Sequence, residues 1–111
     1  PRAIILSPDN SMMYVTMNLS GRVASWDLVN NRAGKSVKTG KSARSLAISS
    51  DGTALFVVNF KSDTISKVRT SDMKVLQNLK VCNEPIGITY DAPTGNTWVA
   101  CYGGAIKVLS N

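Results

Sequence analysis

Histidine is missing from all 111 residues. That removes Ser–His–Asp hydrolysis and His-bound metal sites from what these residues can do by themselves. Aromatic residues reach only 6% and charged residues 18%, against 43% hydrophobic. Those shares exclude a disordered chain and fit a globular one. No apolar run approaches the roughly 18 residues of a membrane-crossing helix, so membrane insertion is not expected. No signal peptide is visible. The first residue is Pro1, without an initiator methionine, so the chain reads as a mature product or an excerpt. No glycine-rich phosphate loop follows a strand and opens a helix. No window carries the i, i+3, i+4, i+7 apolar spacing of an amphipathic helix.

Cysteine is scarce too: Cys82 and Cys101 are the two in the chain. Their spacing is neither a CxxC nor a zinc pattern. Cys101 lies in an apolar strand and is expected to act there as a small hydrophobe. Whether the two are oxidised together stays open, and they do not settle the compartment. Charge is lopsided, with 13 Lys+Arg against 7 Asp+Glu and a net +6. The basic residues are scattered along the sequence with no block of five like charges. A solvated rim is expected. Weak, salt-sensitive attraction to anionic polymers is the alternative, and nucleic acid is not the expected partner.

What the chain does have is a repeat of about 42 residues. Arg2 aligns with Arg44, Asp9 with Asp51, Ser20 with Ser62, Val23 with Ile65 and Lys38 with Lys80. Tyr14 aligns with Phe56 and Trp98, and Val15 with Val57 and Val99. In the second copy, turn residues divide the chain into four strands: Arg44 to Ser49, Ala54 to Phe60, Thr64 to Arg69 and Lys74 to Val81. Ser50-Asp51-Gly52 is a strong hairpin signal. Lys61-Ser62-Asp63 and Ser71-Asp72 supply the next two turns. The first copy turns at Pro8-Asp9-Asn10, Asn18-Leu19-Ser20-Gly21 and Asn30-Asn31. The third uses Pro93-Thr94-Gly95-Asn96 and Gly103-Gly104, and ends after its third strand, Ala105 to Leu109.

Apolar patterning fades across each copy. The second strand is apolar on both parities, with Leu55 and Val57 on one and Phe56 and Val58 on the other. Such a strand must be covered on both faces. The third strand alternates, and the fourth mixes Val75, Leu76 and Leu79 with Lys74, Gln77, Asn78 and Lys80. Sheets stacked radially around an axis produce that gradient, because inner strands are crowded and outer strands meet water. The expected fold is all-β: four-stranded antiparallel blades of a β-propeller, with blade 1 at residues 1–42, blade 2 at 43–84 and an incomplete blade 3 at 85–111.

The stretch Ser7 to Val23, SPDNSMMYVTMNLSGRV, resembles the YVTN-type β-propeller repeat, in which a Ser-Pro-Asp turn precedes a Tyr-Val-Thr-Asn strand and a Ser-Gly turn. Tyr14-Val15-Thr16 matches. Met17 stands where Asn is usual, and Asn18 follows one place later. The second copy keeps Val58-Asn59, and Pro85-Ile86-Gly87-Ile88 is similar to the opening of such a repeat. Trp26-Asp27-Leu28 is similar to the close of a WD-repeat blade, but the Gly-His pair of that family is missing. The resemblance covers the whole chain and is specific for fold, not for function. It implies a partial chain of a lactonase-like or surface-layer-like propeller of roughly seven to eight blades.

Three blades cannot close a ring. Each end blade is expected to leave about 500 Å² of apolar face open, near the upper limit for a monomer. At about 25 cal/mol/Å² that forgoes about 12 kcal/mol per face. Further blades are therefore the expected partners, either from a longer chain or from copies assembled head to tail. A capped, partly open array is the weaker alternative.

Arg2 and Arg44 begin the first strand of their copies, which lines the central channel in this architecture. Two guanidiniums at one mouth could clamp a carboxylate or phosphate. Ile86 breaks that series, and pairing between blades is the plainer role. Asn83 and Glu84, in the linker to the third copy, are the other candidate contacts. Asp9 and Asp51 read as turn residues, not as paired carboxylates. Asn18-Leu19-Ser20 fits a glycosylation pattern, with a turn Asn as the plainer reading. Phe60, Trp98 and Tyr102 could make a stacking platform, but core between blades is expected of them. No catalytic residue, metal or cofactor is expected. The expected function is a non-catalytic recognition scaffold at the cell surface, in the periplasm or outside the cell, binding a protein or glycan. One alternative is a lactonase-like hydrolase with active residues partly outside this chain. Another is weak polyanion binding through a basic rim.

Overall fold

A computed structural model describes residues 1–110 of the chain. Asn111, included above in the third blade, lies outside the described residues. Among those residues, eleven strands form three antiparallel sheets of four, four and three strands. The first sheet holds β1 (Ile4–Leu6), β2 (Met12–Met17), β3 (Arg22–Asp27) and β4 (Arg32–Lys38). The second holds β5 (Ala43–Ile48), β6 (Ala54–Asn59), β7 (Thr64–Arg69) and β8 (Lys74–Lys80). The third holds β9 (Pro85–Asp91), β10 (Asn96–Cys101) and β11 (Ile106–Leu109). In each sheet sequence neighbours pair in order, so every connection is a short hairpin. These are β-propeller blades, two of them complete.

The turns form where the sequence carries residues that tolerate positive φ. Asn10 (φ 61°) and Gly52 (φ 77°) close equivalent hairpins, and Gly104 (φ 101°) permits the shorter β10–β11 turn. Strand ends differ from expectation by one residue at β5, β6, β8 and β11. Phe60 leaves β6 and opens a short 3-10 turn, Phe60–Ser62, which Asp63 ends at φ 59°. The cause is visible in the linker: the Phe60 amide donates to the Ser42 carbonyl (3.0 Å) and Lys61 to Lys41 (3.1 Å), not to the neighbouring strand.

Burial follows the radial gradient. All six residues of β6 are buried, whereas β8 is exposed apart from Val75. The two parities of β6 go to different neighbours. Leu55 and Val57 join Tyr14, Val23, Ala43 and Leu46 in a core at the seam with the first blade. Ala54, Phe56 and Val58 join Val99, with Ile88 and Tyr90 packed alongside, at the seam with the third. There the Phe56 and Tyr90 rings stack at 5.9 Å. Each seam also carries a side-chain hydrogen bond to the inner strand of the next blade. The Thr16 hydroxyl donates to the Arg44 carbonyl at 2.6 Å, and the Ser45 hydroxyl donates to the Ile86 carbonyl.

Trp98 occupies the same place on the last blade of the described residues. Its equivalents Tyr14 and Phe56 are 4% and 7% exposed because a following blade covers them, while Trp98 is 42% exposed. Val108 pairs with it and Ile106 shares its face, and both are also exposed. At the opposite end of the wedge Ile4 and Leu6 are exposed on the outer face of the first blade. Both ends present the apolar face that a neighbouring blade would bury.

Cys101 differs from expectation as well. It is bonded to Cys82, with Cα atoms 6.2 Å apart. The linker after β8 crosses the end of β10, bringing the two side chains within disulfide reach. The bond ties the link between blades to the second strand of the blade that follows.

Candidate functional site

Hairpin topology sends the connections to two ends of the wedge. The β2–β3, β6–β7 and β10–β11 turns share one end with the linkers between blades. The remaining turns share the other. Both linkers are held by the same pair of backbone bonds. Thr39 donates to the Gly21 carbonyl (2.8 Å) as Val81 does to Asp63 (3.1 Å), and Tyr102 donates to Glu84 (2.9 Å) as Phe60 does to Ser42. Ser42 and Glu84 both adopt positive φ, 57° and 53°.

This linker end holds the four candidate residues. Arg44 sits at the start of β5, where a bulge between Ala43 and Leu46 interrupts pairing with β6. Its guanidinium carbon lies 4.1 Å above the centre of the Phe60 ring, within cation–π range. The Phe60 ring in turn meets Tyr102 edge-on, with centroids 6.5 Å apart and planes at 78°. Arg44 Nε is buried and has no hydrogen-bond partner among the described residues. Arg2 is exposed. Its amide donates to the Thr16 carbonyl, so Thr16 links the backbone beside Arg2 to that of Arg44. The two arginines have different surroundings: one stacked on an aromatic ring, the other open. Asn83 and Glu84 are exposed on the second linker. The Glu84 backbone is held at both ends, its amide on Asp63 Oδ1 (2.9 Å) and its carbonyl by Tyr102.

Positions 18, 60 and 102 occupy one place in successive blades. Asn18 reaches across the first seam and donates from Nδ2 to the Ala43 carbonyl at 3.2 Å. Phe60 and Tyr102 make an edge contact across the second. Phe60 is half-buried and Tyr102 exposed, so the two serve partly as core and partly as surface.

Asp9 and Asp51 lie at the other end, each saturated by its own turn. Asp9 Oδ1 accepts from the Ser7 hydroxyl (2.7 Å) and from the Ser11 amide and hydroxyl (3.0 and 2.7 Å). Asp51 Oδ1 accepts from the Ser49 hydroxyl (2.7 Å) and from the Thr53 amide and hydroxyl (3.0 and 2.7 Å). These donors favour the charged form. The Ser11 hydroxyl leads at Asp9 and the Thr53 amide at Asp51, and both carboxyls are held at about 2. They are turn residues, not a catalytic pair. Asp27 and Asp72 are lowered for similar reasons, by Asn30 and by Arg69.

Charges scattered in sequence are sorted in space. Arg2, Lys38, Lys41, Arg44 and Lys61 lie at the linker end, with Arg22 and Lys80 at strand ends beside them. Only Asp63 and Glu84 oppose them there. The other end has Arg32, Arg69 and Lys74 against Asp9, Asp27, Asp51, Asp72 and Asp91. The molecule is therefore strongly basic at one end and mildly acidic at the other. Sequence order alone conceals this, because consecutive turns point to opposite ends.

No family model matches the chain, and no curated protein matches it. Solved structures do. A segment of hydrazine synthase from Kuenenia stuttgartiensis superposes with a TM-score of 0.93 at 27% identity, over 97% of this chain and 32% of that one. The dihydro-heme d1 dehydrogenase NirN matches at 0.80 with 21% identity, over 97% and 27% of the two chains. The β-propeller domain of Cps50 (Swd1) from Myceliophteria thermophila matches at 0.81 with 14% identity, over 95% and 34%. The chain thus spans about a third of the length of the structures it matches. The neighbours include enzymes and, in the WD40 repeats of RRP9 at a TM-score of 0.78 and 16% identity over 97% of this chain and 38% of that one, a repeat domain, so they share a fold and not one function.

Proposed function

We propose that this propeller segment is a non-catalytic recognition scaffold of the YVTN type, working at the cell surface, in the periplasm or outside the cell. The observation that carries the reading is the cation–aromatic set at the linker end: Arg44 on Phe60, and Phe60 on Tyr102. Flat, amphipathic and backbone-anchored side chains of this kind are typical binding anchors. Arg2, Asn83 and Glu84 border the set as further contacts for a protein or glycan. The Cys82–Cys101 bond supports an oxidising compartment, where disulfides persist. The repeat type draws support from Asn59. This residue of the Val58-Asn59 motif is fully buried and donates to Thr64 and Ser66 within its own blade.

The test is a peptide and glycan array probed with the protein at its natural length, beside Arg44→Ala and Tyr102→Ala. We expect a specific ligand whose affinity falls by about tenfold in each variant, as for an interface anchor. Ligands that bind both variants unchanged would overturn the reading.

A second reading is favoured by the 27% identity with a hydrazine synthase segment. On that reading the chain is the propeller part of a larger enzyme, and its binding end docks other components of that enzyme. Alternatively, residues in further blades complete a lactonase-like site. Lactone turnover by the natural-length protein distinguishes the lactonase form.

A further inference from the structure

A groove of about 350 Å³ opens at the linker end of the first seam, and its lining includes Lys38, Lys41 and Lys61 with Asn18, Ser42 and the apolar Leu19. We propose that it binds a phosphate or sulfate monoester group, held between Lys38, Lys41 and Lys61. The site is separate from the Arg44 set and does not depend on the recognition reading above.

Three observations carry it. The lining contains no carboxylate, and the one ion pair among the described residues is elsewhere, between Arg69 and Asp72. The nearest acid in sequence, Asp63, uses Oδ1 to accept the Glu84 amide in the neighbouring seam. Two of the cations are also held together by their backbones. The Lys61 amide donates to the Lys41 carbonyl (3.1 Å), and the Lys41 amide donates to the Ser62 hydroxyl (2.8 Å). Anchoring on adjoining backbone brings both flexible side chains within reach of one bound anion. Polar groups complete the rim, with Asn18 fixed by its bond to Ala43. A tetrahedral oxyanion has the charge and acceptor count that such a cradle satisfies.

The second seam keeps Lys80 in the place of Lys38 but shows that the fold does not require Lys41 or Lys61. It keeps two of the linker hydrogen bonds, Val81 to Asp63 and Tyr102 to Glu84, and the same positive φ. Yet Asn83 stands where the first seam has Lys41, and Gly103 where it has Lys61. Asp63 and Glu84 replace Gly21 and Ser42. The basic groove is thus particular to the first seam and unnecessary to its backbone. The surplus of cations at this end adds a long-range attraction for the same ligands.

Calorimetric titration of the natural-length protein with inorganic phosphate, inorganic sulfate, a sugar phosphate and a sugar sulfate tests the proposal. Saturable binding is expected. The Lys41→Ala/Lys61→Ala double variant is expected to weaken it by roughly tenfold, about threefold per exposed charge. Lys41→Arg/Lys61→Arg restores it. A preference between the two sugar esters names the natural source. Absence of saturable binding in the wild type overturns the proposal. So does an equal loss in a Lys74→Ala/Lys107→Ala control, which would reduce the effect to overall charge.

Discussion

The two seams of this molecule solve one problem in two ways. At each, the linker leaving a blade must be held against the end of the next blade's second strand. The backbone bonds are the same pair in both, and the side chains differ. At the first seam Gly40 faces Asn59, and a Cβ on Gly40 would come within 2.7 Å of Asn59 Cγ. Asn59 donates to the hydroxyls of Thr64 (3.1 Å) and Ser66 (2.9 Å). Ser66 in turn donates to Asn78, with the Thr39 carbonyl at 3.3 Å as the alternative acceptor. At the second seam the equivalent residues are Cys82 and Cys101, joined covalently. A hydrogen-bond hub beneath a glycine and a disulfide are alternative fillings of one place in the repeat. The first needs the lower blade to be fully formed. The second needs only the linker and β10.

The largest effect is therefore expected at the covalent seam. Replacing Cys101 by Ser should cost about 3 kcal/mol, from the loop entropy returned to the unfolded chain. The loss should appear in denaturant unfolding of the natural-length protein. Reduction of the wild type should reproduce it, and the reduced wild type should match the variant. An unchanged midpoint would mean that the backbone bonds of the linker suffice alone, and the two seams would then be equivalent.

The hydrogen-bonded seam should yield less. Asn59→Ala leaves Ser66 and Thr64 short of a donor in a buried place, at a cost of about 2 kcal/mol. Gly40→Ala probes the same contact from the other side, since its new methyl must displace Asn59. If both variants are neutral, the hub is incidental and the first seam rests on its apolar core.

Much of this architecture was legible in the sequence, for local reasons. β7 falls on Thr64–Arg69 as read, because turn residues bound it on both sides. The double-sided strand was legible because Leu55 and Val57 cannot share a face with Phe56 and Val58 in an extended chain. The disulfide was not, because nothing local marks the crossing of the Cys82 linker over the end of β10. Only aligning Cys82 with Gly40 and Cys101 with Asn59, with the Gly40–Asn59 contact known, would have exposed it. The stacking of Arg44 on Phe60 was equally hidden, since it depends on Phe60 leaving its strand. The basic groove was missed because its lysines come from three separate segments. Each of them looked like part of a solvated rim.

The smallest effect concerns the end where two blades are alike. Asp9 and Asp51 make the same set of turn bonds, and both are held at about 2, below the ordinary carboxylate range. A depressed folded value means that the charged form is favoured by folding. The contribution is complete above the unfolded value near 4 and is lost as pH falls through about 2. Asp51→Asn should therefore lower stability at neutral pH slightly and flatten its decline across that window, with Asp9→Asn doing the same. Thermal unfolding from pH 5 to pH 2 measures both. The double variant should come close to the sum of the two changes, because the carboxylates share no donor even though Gly52 of one turn adjoins Pro8 of the other. A departure from additivity would show that these turns communicate through the seam, and that the hairpin end is less independent than its local bonds imply.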